Sequence, residues 1–267
     1  MLAGSVRIEC EHLFVYRSYG IADFEEVQRL ARAGLSGYEI SRQLGMPRAT
    51  VQRWRSLARA PRSTPDRIPT IWRPADPASY AYLLGVYLGD GHIWQGGRTS
   101  SRLSVTLDLT YPQVIEEVAA AMQAADPTAA VRRYRRPGAA LLTANGAIWT
   151  IAFPQHGLGR KHLRAIELSA WQREITHRHP KRLLRGLIHS DGCRCVNRFT
   201  TKLPSGRIAE YAYPRYFFSN LSADIRSIFC EHCELIGIRW TQSSSRNISI
   251  AHRDSVLIMD SFIGPKS

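Results

Sequence analysis

Leu83-Leu84-Gly85-Val86-Tyr87-Leu88-Gly89-Asp90-Gly91 and Leu184-Arg185-Gly186-Leu187-Ile188-His189-Ser190-Asp191-Gly192 are two copies of one pattern in a chain of 267 residues. Each copy ends an apolar run with an Asp-Gly step, and small residues recur four apart, Gly85 with Gly89 and Gly186 with Ser190. Residues four apart share one side of a helix, so the spacing predicts two helices that each carry a nearly bare face. Bare faces can pack backbone to backbone. The helices would then end side by side, with Asp90 and Asp191 together at C-terminal ends, where the helix dipole and mutual repulsion both disfavour carboxylates. A divalent cation would cancel that penalty.

These motifs, 101 residues apart from Asp90 to Asp191, resemble those of the LAGLIDADG homing endonuclease family, and the resemblance runs from about Pro77 to the C-terminus. It implies an α+β fold: tandem αββαββα halves, 78–178 and 179–267, forming a pseudo-twofold saddle over double-stranded DNA. It further implies that the last motif acids, Asp90 and Asp191, bind magnesium. The implied cut is double-stranded, across the minor groove, with short 3′ overhangs. The earlier acidic position of the family pattern, itself variable, is Leu88 in the first copy and His189 in the second. Because the twofold is internal, a monomer is expected.

Composition agrees with a polyanion partner. Lys+Arg 36 against Asp+Glu 22 gives a net charge of +14, and 44% hydrophobic residues is enough for a real core. No apolar run approaches the roughly 20 residues of a membrane span, and no N-terminal leader pattern is seen. A cytoplasmic, nucleoid-associated location is expected, without membrane contact. Five cysteines, an odd number, read as reduced thiols. Cys193, Cys195, Cys230 and Cys233 could together hold zinc, but small core residues give the same spacing, and zinc is not expected.

Ahead of the motifs the chain reads as an arm (1–22), a small all-α domain (23–59) and a proline-rich linker (60–77). Phe24, Val27, Leu30 and Ala31 fall at helical spacing until Gly34; a second helix spans about Gly37 to Leu44 with Tyr38, Ile40 and Leu44 inward. Gly45-Met46-Pro47 then turns into a third helix with Val51 and Trp54 buried. Leu35 to Trp54 resembles the helix-turn-helix of resolvases and transposases, which implies DNA contact through Arg48, Thr50, Gln52, Arg53 and Arg55. Pro61, Pro65, Pro69, Pro74 and Pro77 make the linker semi-stiff. It would tether two DNA-binding modules into a bivalent one.

After Asp90-Gly91 the pattern predicts strands at His92–Gln95, Leu103–Leu109, Ala130–Arg135 and Ala147–Phe153, helices from Pro112 to Ala124 and Gly159 to Ile166, and a turn at Gly96-Gly97. The second half repeats the order. Its strands are Cys193–Thr200, Tyr211–Phe218, Arg239–Ser243 and Ile248–Ala251, and its helices Ala223–Ile236 and Ser255–Ile263.

Phosphodiester hydrolysis needs an activated water, a Lewis acid on the phosphoryl oxygens and a stabilised leaving group. Magnesium suits two carboxylates completed by water and phosphate. Beside Asp90 and Asp191, the candidate catalytic residue is Lys161 in the segment Phe153 to His162, with Gln155 and His156 near the same floor and Arg253 at the matching place in the second half. His92 and His189 flank the acids and are read as packing or hydrogen-bonding residues. Candidate DNA-contacting residues are Arg102, Arg133, Arg135, Arg198, Lys202, Arg215 and Arg246, with Arg98, Arg132, Arg239 and Gln242 also on strand positions and Trp94, Tyr134, Tyr213 and Trp240 interleaved. The alternative is a transcriptional regulator that uses the same saddle without cleavage. Bacterial sporulation-control regulators combine such a fold with a helix-turn-helix, but at the C-terminus and with the acids lost.

Overall fold

The structure, a computed structural model, describes residues 21–57, 72–96 and 100–264. The expected arm, most of the expected linker, Arg98 and part of the Gly96-Gly97 turn lie outside the described residues. The chain divides into two compact units, Met1–Arg67 and Ile68–Ser267. Among the described residues no helix is long and apolar enough to cross a membrane.

In the first unit α1 (Ile21–Arg32), α2 (Gly37–Leu44) and α3 (Arg48–Arg55) enclose a core of Phe24, Val27, Leu30, Ile40, Met46, Val51 and Trp54. Ser36 and Glu39 start α2 with a capping box, each side chain accepting the other's backbone N–H. Gly45 ends it at φ 62°, a left-handed conformation that turns the chain toward α3. Tyr38, expected inward, is exposed. It lies two residues from the buried Ile40, about 200° around the helix.

The second unit contains one element order twice. The first half is α4 (Pro77–Gly89), β1 (Gly91–Gln95), β2 (Ser101–Asp108), α5 (Pro112–Ala125), β3 (Val131–Arg136), β4 (Ala139–Gly146) and α6 (Trp149–Ala152). After α7 (Ala170–Arg178) come α8 (Pro180–Asp191), β5 (Gly192–Lys202), β6 (Ile208–Ser219), α9 (Ala223–Leu235), β7 (Thr241–Gln242), β8 (Asn247–Ile250) and α10 (Arg253–Ile263). The antiparallel sheets have matching orders, β1-β2-β4-β3 and β5-β6-β8-β7.

Two expectations in the first half fail. The fourth strand is β4 rather than Ala147–Phe153, because Pro137-Gly138, with Gly138 at φ 69°, closes a tight hairpin immediately after β3. Trp149 and Phe153, four apart, are both fully buried, which is the spacing of a helical turn. The helix expected from Gly159 to Ile166 is reduced to a single 3₁₀ turn, Lys161–Leu163, in a segment where Gly159 stands at φ 77°.

α4 is started by Asp76, whose Oδ1 accepts from the N–H groups of Ala78 and Ser79, with Pro77 in the first turn. It is buried from Tyr80 to Leu88 and packs on α8. A methyl at Gly85 would press on Leu183 O and lie 2.8 Å from Leu187 N; a methyl at Gly186 would press on Tyr82 O and lie 2.9 Å from Val86 N. The contacts are reciprocal. Each glycine meets the carbonyl three residues before the other, as a local twofold axis between the helices requires.

Candidate active site

Asp90 caps the C-terminus of α4 and is exposed; Asp191 is the last residue of α8 and is half-buried. The glycine contact brings the two helix ends together, so that a methyl on Gly89 would meet Ser190 and, at 2.9 Å, Asp191 Oδ2. Asn220, just past β6, donates from Nδ2 to Asp191 Oδ2 at 2.6 Å while its own Oδ1 accepts from Ser222 N. On the other side Asp90, Asp108, Tyr111, His189 and Ser190 line a cleft of about 230 Å³. The surroundings of the two acids therefore differ: an amide fixes one carboxylate, and a second carboxylate lines the cleft beside the other.

Lys161 Nζ donates to the carbonyls of Tyr87, Leu88 (3.1 Å) and Gly89 (3.1 Å), the last turn of α4, and lies 4.7 Å from the Tyr87 ring centre. Of these, Tyr87 O also accepts from the capping Asp90 N–H, and all three lie in the last turn, which carries the negative end of the helix dipole. Burial pushes the Lys161 amine down to about 8, and the charges of Asp191 and Asp90 oppose that shift. One ammonium thus answers two carboxylates and a helix end.

The segment that delivers Lys161 is tied down by a buried polar cluster. Gln155 Nε2 donates to Gln172 Oε1 and Glu167 O, both at 2.6 Å; Gln172 Nε2 donates to Tyr80 Oη at 2.8 Å; and Tyr80 donates to Ala152 O. Gln155, expected near the floor of the site, is committed to this cluster instead and is buried. His156 donates from Nδ1 to Phe153 O at 3.0 Å, and Arg253 is exposed at the start of α10.

His189, at the variable acidic position, is buried. Its Nε2 donates to Ile263 O at 3.3 Å, and its Nδ1 shares a hydrogen bond with Tyr82 Oη at 2.9 Å. Beside it Glu117 accepts from Arg182 at 3.0 Å and bidentately from Arg185 at 2.8 and 2.9 Å, and Arg185 reaches on to the carbonyls of Phe262 and Ile263. This network joins α4, α5, α8 and α10. Burial acts to raise the Glu117 carboxyl, and Arg185, with His189 and Arg182, outweighs it and holds the group below its usual value. The stability it gives is present at neutral pH and is lost as acid protonates it. Glu117→Ala is expected to cost about 1–3 kcal/mol in urea unfolding, since it strands two partly buried guanidinium groups. Glu116→Ala, whose partner Arg133 is exposed with it, should leave the midpoint unchanged.

Cys193 and Cys195 lie on β5, the first exposed and the second half-buried, whereas Cys230 and Cys233 are buried in α9. Burial pushes the Cys230 thiol up to about 12 and raises Cys233 as well, which keeps both protonated. Among the described residues no group of three or more His, Cys, Asp or Glu is placed to hold a metal.

Strand alternation sorts the basic residues into two faces. Leu103, Val105 and Leu107 of β2 are buried against the helices, so Arg102 with Thr106, and His92 with Trp94 on β1, face away from them. Register carries the same phase to β3, where Arg132, Tyr134 and Arg136 share the outward face while Arg133 and Arg135 alternate to the helix side. Arg133 accordingly pairs with Glu116 of α5 at 2.6 Å. In the second half Tyr216 and Phe218 are in the core, which puts Arg215 outward and Arg198 and Lys202 on the helix-side face. Arg215 stacks 5.5 Å from Phe217, and Arg246 is exposed in the turn before β8. In the first unit Arg48, Gln52, Arg53 and Arg55 are exposed and Thr50 is half-buried. Arg136 and Asn220 escaped the sequence reading. The phase of β3 hangs on Val131 alone, and an asparagine between a strand and a serine cap reads as an ordinary turn.

No protein-family profile matches the chain, and no curated protein matches it. Among solved structures, mesophilic variants of the homing endonuclease I-DmoI are similar at 16% identity, covering 71% of this chain and 97% of that one, with a TM-score of 0.46. I-DmoI in complex with DNA and Mn gives 16% identity, 71% and 98% coverage, and 0.46. The LAGLIDADG meganuclease I-AabMI bound to uncleaved DNA gives 11% identity, 70% and 82% coverage, and a TM-score of 0.44.

Proposed function

We propose that the second unit is a LAGLIDADG-type DNA endonuclease that acts as a monomer, with Asp90 and Asp191 as ligands of Mg²⁺. The observation that carries this reading is the reciprocal glycine contact, which sets two carboxylates at adjoining helix C-termini where both the dipoles and their own repulsion are unfavourable. An all-oxygen donor set of this kind fits a hard divalent cation, and two carboxylates leave most of its coordination positions to water and phosphate oxygens. Bound there, the cation would supply the Lewis acid and the activated water of phosphodiester hydrolysis. The chain's own residues set the geometry: Asn220 orients Asp191, and Lys161 adds positive charge to the floor on which a scissile phosphate would rest. The outward faces of the two sheets, with Arg102, Arg132, Arg136 and Arg215, form the DNA-facing surface. The basic third helix of the first unit, through Arg48, Gln52, Arg53 and Arg55, provides a second DNA contact of the helix-turn-helix kind.

The test is to select tightly bound duplexes from a random library in calcium, add magnesium, and map strand scission. Cuts at defined positions support the nuclease. Selective binding that persists uncut in magnesium would overturn cleavage and leave a DNA-binding regulator.

A further inference from the structure

The two halves present different chemistry to a duplex. β5 and β6 pair from Gly192 with Phe218 out to Lys202 with Ile208, whereas β1 and β2 pair only from Gly91 with Val105 to Gln95 with Ser101. β8 joins β6 only over Tyr216 to Ser219. Beyond Cys195 and Arg215, therefore, β5 and β6 continue as a free two-stranded ribbon about 25 Å long. Its root is clamped on the helix side, where Arg194 pairs bidentately with Asp260 at 2.7 and 2.9 Å and Tyr216 donates to the same carboxylate at 2.6 Å.

The outward face of the ribbon holds Asn197, Phe199 and Thr201 opposite Ala209, Tyr211 and Tyr213. Phe199, Tyr211 and Tyr213 form one stack, with centroids 5.3 Å (Phe199 to Tyr211) and 5.8 Å (Tyr211 to Tyr213) apart, yet Phe199 remains 45% and Tyr213 49% exposed. An apolar protein partner would not be met by the charges of this hairpin: Arg215 shares the face of the stack, Arg207 lies in the turn, and Arg198 and Lys202 stand with Glu210 on the opposite face. A polyanion would. The DNA major groove admits a two-stranded ribbon, and the thymine C5-methyl is the apolar group that base edges present there. Phenyl rings and threonine methyls contact that group, and asparagine pairs bidentately with adenine, while arginine favours guanine. The outward face of the first sheet also carries exposed rings, Trp94 and Tyr134, but sets Arg102, Arg132 and Arg136 among them, with the Arg102 guanidinium 5.6 Å from the Trp94 ring centre, and is the arginine-rich one of the two.

We propose that the β5–β6 ribbon reads A·T base pairs, through thymine methyls on Phe199, Tyr211 and Tyr213 and adenine on Asn197, so that the target is chemically asymmetric, guanine-rich under the first sheet and A·T-rich under the ribbon. The inference rests on the DNA-binding part of the proposed function. It is tested with the full chain by sequencing duplexes selected in calcium, then titrating a recovered duplex in which dT in the ribbon-side tract is replaced by dU, which removes only the methyl. An A·T tract at one end of the site is expected, with affinity falling about fourfold for each contacted methyl removed, the worth of one buried methyl-sized group. In Phe199→Ala/Tyr213→Ala protein, whose changes are at exposed positions, the difference between dT and dU should vanish while the guanine preference at the other end stays. A selected site without an A·T tract, or equal affinity for dT and dU, overturns the inference alone. Tighter binding of a single strand than of duplex, lost in the double variant, would also overturn it by assigning the ring stack to unpaired bases. Failure to select any sequence would remove the proposed function together with it.

Discussion

Asp90→Asn and Asp191→Asn, separately, are each expected to lower strand scission on the order of a thousandfold, the several kcal/mol of transition-state stabilisation that a metal Lewis acid provides. Selective duplex binding measured without metal should stay within about threefold, since one charge among many phosphate contacts is a small electrostatic change. The metal-free fold should change little. Each carboxylate sits at the negative end of a helix, which neutralisation relieves, but each also faces the buried Lys161 ammonium, whose attraction is then lost, so the two effects oppose and stability should stay within about 1 kcal/mol of the native chain, read as the thermal midpoint. A variant that loses scission without losing stability identifies a residue kept for chemistry rather than for the fold. Variants that still cut at the same positions would sink the assignment.

Gly186→Ala should destabilise the second unit by about 3 kcal/mol or more, because its methyl meets backbone on the facing helix and no rotamer can relieve the clash. Gly85→Ala should behave the same way, its methyl meeting Leu183 O and Leu187 N. Gly89→Ala should cost less, because there the atoms met belong to the Ser190 and Asp191 side chains. Urea unfolding followed by intrinsic fluorescence ranks the three. A Gly186→Ala midpoint equal to that of the native chain would show that the helices are not held at backbone contact.

What the sequence shows most clearly is the part that repeats. The meeting of Asp90 and Asp191 at adjoining helix ends can be read because the motif occurs twice, and the small-residue spacing already implies the helix pair. The four strands of the second half can be placed because turn residues and apolar alternation coincide there. The first half hides β4 for a physical reason. Ala139 to Gly146 has weak strand propensity, and Ala140 and Ala144 serve a sheet face pressed against helices. The next stretch, Ala147 to Phe153, is rich in the aromatic and branched residues that favour strands, yet burial of Trp149 and Phe153 on one side makes it a helical turn. Outward direction on β3 depends on pairing with β4, so misplacing one strand also hides which of its arginines share a face. The segment around Lys161 points toward the site, but no local pattern announces that its partners are three carbonyls more than seventy residues earlier.

The reciprocal packing of Gly85 and Gly186 also sets how such a molecule can change over generations. At that contact each half is the template for the other, so a substitution in one copy is felt at once by the second, and the pair must drift together or not at all. The sheets carry no such mutual obligation, because each touches its own helices and leaves its outer face unmatched. Joining both copies in one chain therefore confines inherited sameness to the helix pair and leaves the two surfaces independent, as the short β1–β2 hairpin and the long β5–β6 ribbon already are.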